Sequence, residues 1–98
     1  MTDFINLVSY IRGSTHVTHV HVTDPETGAL TDPNSITCGY IQPDGTAVAA
    51  AAMTKDSTGI YHFNYAIAAD AIQGVWRPKV TATTGTLVKI DEGEFLVI

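Results

Sequence analysis

The sequence predicts an all-β chain folded as an antiparallel sandwich of about seven strands. Three observations carry that expectation. Runs of β-branched and aromatic residues recur at short intervals, clusters of turn-forming residues separate them, and a lone cysteine, Cys38, can close no internal disulfide. With 98 residues and 45% apolar content, the chain suits one compact domain over residues 1–98. Its stability must come from packing rather than from covalent staples.

A first strand is expected at residues 6–11. The next, residues 15–23, reads THVTHVHVT and stops at Asp24-Pro25-Glu26-Thr27-Gly28. There proline fixes φ, Asp24 can bond forward to the backbone, and Gly28 accepts positive φ at no steric cost. Residues 35–42 end in the same turn chemistry, Pro43-Asp44-Gly45, before residues 46–53, so the two runs read as a hairpin. Residues 49–52 are all alanine and favour helix by propensity, yet the run is short, uncapped and follows a tight turn, which assigns it to a strand.

Residues 59–67 alternate Tyr61, Phe63 and Tyr65 with His62 and Asn64, placing the aromatics on one face. Residues 66–73 could close one helical turn. In residues 75–84, Trp76, Pro78, Val80 and Ala82 share a face against Arg77, Lys79, Thr81 and Thr83. Pro78 cannot donate to a ladder, so this strand is expected to lie at an edge there or to carry a bulge. Residues 87–98 complete the set, and the count is that of an immunoglobulin-like sandwich. The expected core is Val20, Val22, Ile36, Cys38, Tyr40, Tyr61, Phe63, Trp76, Val80, Phe95 and Val97.

The segment Lys55-Asp56-Ser57-Thr58-Gly59-Ile60-Tyr61 resembles the tyrosine-corner region of immunoglobulin-like domains, with Tyr61 at the matching position. Where antibody-type domains carry a cysteine two residues later, this chain has Phe63, which implies an apolar contact in place of the inter-sheet disulfide. A wider likeness runs along the chain. Arg12-Gly13, Thr23-Asp24-Pro25, Pro43-Asp44-Gly45, Asp56-Ser57-Thr58-Gly59-Ile60-Tyr61, Gly74-Val75-Trp76 and Asp91-Glu92-Gly93-Glu94-Phe95 occur in the order seen in small immunoglobulin-like or invasin-like proteins. Those proteins are encoded by phages and prophages among virion structural genes. The resemblance implies a complete small domain ending in Phe95-Leu96-Val97-Ile98, residing in the virion, or in the host cytoplasm before assembly.

Composition narrows the partners. Ten acidic against five basic residues give a net charge of −5, and Arg12, Lys55, Arg77, Lys79 and Lys89 are scattered, so a polyanion such as nucleic acid would be repelled. No run approaches the roughly 20 apolar residues of a membrane helix, and Asp3 precedes any base, unlike a secretory signal, so neither membrane insertion nor export is expected.

Candidate chemistry is sparse. His19 and His21 share a strand face and could offer a metal two nitrogens, with His16 on the opposite face, but two imidazoles leave a site incomplete and no metal or other cofactor is expected. Asp24, Glu26, Asp32, Asp44 and Asp56 fall in turns without the spacing of a calcium loop. Cys38 shares a face with Ile36 and Tyr40 and reads as a buried, inert thiol. Trp76 reads as core rather than as a sugar-stacking platform, and no catalytic motif stands out. The expected function is therefore that of a non-catalytic structural protein of a phage or prophage particle, in head, neck or tail. It would act on other virion proteins or on a second copy, with residues 4–11 as a candidate edge. The alternative is an adhesion or carbohydrate-binding module of a cell-surface protein.

Overall fold

The computed structural model describes residues 9–98, so residues 6–8 of the expected first strand, and most of the candidate edge at 4–11, lie outside the described residues. The strands are β1 (Ser9–Tyr10), β2 (Thr15–His21), β3 (Ser35–Ile41), β4 (Ala47–Ala52), β5 (Thr54–Ser57), β6 (Ile60–Ala66), β7 (Gly74–Thr84), β8 (Leu87–Glu92) and β9 (Phe95–Val97). They form two sheets. The larger runs β1-β9-β7-β3-β4 with β8 also on β7, and the smaller runs β2-β6-β5. Among the described residues all strand pairings are antiparallel except β1 with β9.

The turns are made by the residues that signalled them. Asp24 Oδ1 accepts the N–H of Glu26 and Thr27, Gly28 donates to Asp24 O, and Gly28 takes φ +74°. In the β3–β4 hairpin, Asp44 Oδ1 accepts from Thr46 N, and Gly45 sits at φ +89°. The alanine run is strand, paired to β3 through a register shift between Cys38 and Tyr40. At that shift a Cβ on Gly39 would meet Val48 O at 3.0 Å, so only glycine lets the bulged strand approach. Residues 67–73 form no helix, only a turn in which Ala71 donates to Ala68 O.

Between β4 and β5 the chain changes sheets at the buried Met53, and β5 becomes the outer strand of the smaller sheet. The sequence reading places Asp56 in a turn and begins the strand at residue 59. The structure puts Asp56 in β5 because the β6 backbone offers that segment a ladder, not because Thr-Lys-Asp-Ser favours a strand.

Pro78 is not at an edge: β7 is interior, with β3 on one side and β8 and β9 on the other. The pairing passes from Lys79↔Glu92 to Trp76↔Phe95 without a slip, so β8 and β9 are one strand in register, interrupted opposite the proline. Gly93 still donates to Pro78 O at 3.1 Å, but the return donor does not exist, and the ladder opens there.

The core lies between the sheets. Ile36, Cys38, Tyr40, Tyr61, Trp76, Val80, Phe95 and Val97 are buried as expected, joined by Met53, Ile67 and Ala82, while Val20, Val22 and Phe63 are partly buried. Phe95 stacks on His16 with ring centroids 3.9 Å apart and meets Tyr10, Tyr40 and Trp76. Phe63 reaches Tyr40 across the sheets, at 6.3 Å between centroids. Phe95→Ala is expected to cost about 3–5 kcal/mol and Phe63→Ala about 1–2 kcal/mol in urea unfolding, because only the first ring is fully enclosed. Equal costs would show that Phe63 is no rim residue.

Candidate functional site

His19 and His21 both project from the outer face of β2 and are exposed. The antiparallel register sets His19 directly across from His62 on β6, with ring centroids 6.3 Å apart, and His62 Nδ1 lies 2.7 Å from Asp56 Oδ1. The structure therefore pairs His19 with a histidine that the sequence reading did not single out. Among the described residues, no three of His, Cys, Asp or Glu converge to hold a metal ion.

His16, on the inner face of β2, is the functional-type residue that sequence reasoning passed over. It is buried, and its Nδ1 lies 3.1 Å from Tyr40 Oη; Thr18 Oγ1 closes a triangle at 3.2 Å from Tyr40 and 3.3 Å from His16. Burial lowers the His16 pKa and raises that of Tyr40, so both are held neutral. The Tyr10 and His16 rings meet in a T-shaped arrangement with centroids 4.9 Å apart. Neutral and enclosed, the group ties the two sheets together through Nδ1.

Of the acidic candidates, Asp24 and Asp44 accept from their own turns, and Asp56 pairs with His62. Asp32 Oδ1 accepts from Gly59 N (2.8 Å) and Tyr61 Oη (3.2 Å), and its Oδ2 pairs with Lys55 Nζ at 2.7 Å. The Lys55 bond first, then the Gly59 N–H, hold the Asp32 carboxyl below its ordinary range. This node departs from the tyrosine-corner expectation: Tyr61 donates to the side-chain carboxylate of Asp32 rather than to backbone a few residues upstream. Gly59 is fixed there by φ +73° and by Val22 O, which would lie 2.8 Å from an added Cβ. Cys38 is wholly buried, and desolvation raises its thiol pKa, leaving it unreactive. Trp76 is buried with its Nε1 donating to Ile72 O, so its ring offers no face to a sugar.

What remains open is an edge. β8 is exposed along its whole length, with Leu87 at 71%, Val88 at 59% and Ile90 at 54% exposure, and β7 is its one strand neighbour among the described residues. Between β8 and β2 runs a shallow groove lined by Val20, Val22, Val80, Ala82, Lys89 and Asp91. The arrangement can accept a strand or an apolar side chain.

No protein-family model matches the chain, and no curated protein sequence matches it significantly. Among solved structures it is similar to part of Escherichia coli alpha-2-macroglobulin. The native conformation superposes with a TM-score of 0.73 at 23% identity, over 94% of this chain and 5% of that one. The trypsin-activated form gives 0.70 at 25% identity, over 94% and 6%. A DUF4785 family protein of Legionella pneumophila gives 0.62 at 14% identity, over 95% and 27%. The chain thus spans a small fraction of each of these proteins. Together with the two packed sheets, the likeness defines the fold class as an immunoglobulin-like β-sandwich.

Two measurements follow from the histidines. Zinc titration of the monomer by calorimetry should give no one-to-one micromolar isotherm, since His19 and His62 leave coordination unfinished; such an isotherm, lost in His19→Ala, would overturn this. Because the His16 pKa lies below its usual 6.5, the unfolded chain takes up a proton that the fold refuses. Stability is then full above about pH 6.5 and declines as the pH falls beneath it. The melting temperature should drop between neutral pH and pH ~5, and drop less in His16→Phe, where Thr18 still partners Tyr40. An unchanged slope in that variant would assign the pH response elsewhere.

Proposed function

We propose that this chain is a non-catalytic immunoglobulin-like module that works through protein contacts, as a structural component of a phage or prophage particle. The observation that carries the contact role is the exposed apolar edge of β8, a strand with backbone groups turned away from its own sheet. The sandwich interior supports the same reading. Its buried polar groups, His16, Thr18 and Tyr40, bond to one another rather than opening toward a substrate. The particle setting rests on the order of turn and strand motifs along the sequence.

A second reading is favoured by the likeness to a piece of bacterial alpha-2-macroglobulin over 94% of this chain. On that reading the chain is a structural domain of the kind that larger proteins string together, again without chemistry of its own.

The readings separate by where the protein is found. Particles purified by density gradient from the native source should contain this chain at a fixed ratio to their major structural protein, measured by quantitative mass spectrometry. Its absence from particles, with recovery in a polypeptide several times longer, would overturn the virion setting in favour of the second reading.

A further inference from the structure

We propose that β8 pairs with β8 of a second copy, antiparallel, about a two-fold axis passing through Ile90. The inference rests on the protein-contact reading above and names the partner for that edge.

The phase of the backbone comes first. Alternate residues of an antiparallel strand turn their N–H and C=O to opposite neighbours. Gly93 donates to Pro78 O on β7, and the β7–β8 register continues unshifted, so Leu87, Lys89 and Asp91 turn their backbone toward β7. Val88, Ile90 and Glu92 therefore present theirs outward. Side chains alternate likewise. Lys89 and Asp91 lie opposite Ala82 and Val80, on the core-facing side of the sheet, and Val88 and Ile90 lie opposite Thr83 and Thr81, on its outer side.

Only residues with outward backbone groups can bond across the new junction, so the axis must pass through a residue rather than between two. At Lys89 it would set two ammonium groups opposite each other, and at Asp91 two carboxylates. At Val88 or Glu92 the strands would overlap by only a few residues. At Ile90 the overlap runs from Val88 to Glu92, Ile90 faces its mate, and Lys89 meets Asp91 of the second copy twice. The charges that guard this edge against indiscriminate pairing are thus arranged to accept a copy of themselves. The contact extends the larger sheet across the axis and covers apolar area that is exposed among the described residues.

The test is self-association of the full chain by sedimentation equilibrium over a range of concentrations. Wild type should dimerise. Lys89→Asp and Asp91→Lys should each weaken the dimer by about tenfold or more, since two attractive cross-strand pairs become repulsive. An equimolar mixture of the two variants, or the double swap in one chain, should restore it. Their melting temperatures in the monomer range should match wild type, because both side chains are exposed. A chain that stays monomeric at millimolar concentration overturns the proposal, as does a dimer indifferent to both reversals. Concentration-independent protection of the Ile90 amide in the monomer also overturns it, because the edge would then belong to a segment of the same chain. None of these failures touches the presence of the chain in particles, on which the broader reading stands.

Discussion

A phenol hydroxyl sealed inside a protein must find partners or destabilise the fold by a kcal/mol or more, and the partners of Tyr40 hold this sandwich together. The ring is rooted in β3 of the larger sheet and almost fully buried, while its hydroxyl meets His16 and Thr18 from β2 of the smaller one. Around that polar contact the aromatic side chains assemble: Tyr65 at 4.6 Å, Phe95 at 6.0 Å and Phe63 at 6.3 Å, measured between ring centroids. The sheets cannot slide past each other without breaking the triangle and leaving buried polar atoms unpaired. In a domain without a disulfide, this fixes the relative placement of the layers in a way that apolar packing, which is non-directional, does not.

The unequal widths of the sheets explain the distribution of exposure. Three strands can shield only the middle of a six-stranded sheet, so β3, β7 and β9 contribute buried side chains while β4 and β8 overhang. The overhangs are filled differently. β4 is nearly all alanine, offering little apolar area for its exposure, whereas β8 carries Leu87, Val88 and Ile90. An overhang of alanine is a neutral border; one of branched aliphatics retains a driving force toward burial.

Much of this was legible in the sequence where the cause is local. The Asp24–Gly28 and Pro43–Gly45 turns follow from side chains that bond their own backbone, and the inward faces of β2, β6 and β7 follow from alternation. What depends on partners was not. β5 has no strand signal of its own and exists because β6 presents a ladder; Pro78 tolerates an interior strand because the neighbour is interrupted where its donor is missing. His16 could be placed on the inner face, but its burial depends on a tyrosine 24 positions later. His19 was matched with His21, two residues away, when the register gives it His62, and the Tyr61 hydroxyl finds a distant carboxylate, Asp32, where the corner expectation gave it local backbone.

The parallel pairing of β1 with β9 bears on how the domain would carry load. Ser9 lies beside Leu96 and Tyr10 beside Val97, with Arg12 N donating to Ile98 O and Ile98 N to Tyr10 O. Strands that run the same way have their outer ends at opposite poles, so tension applied through the two ends of the chain drags β1 and β9 along each other. Their hydrogen bonds are then strained in shear and must give way together, whereas a hairpin pulled from its open end unzips one bond at a time. A module wired in this way meets tension by shear between its terminal strands rather than by peeling.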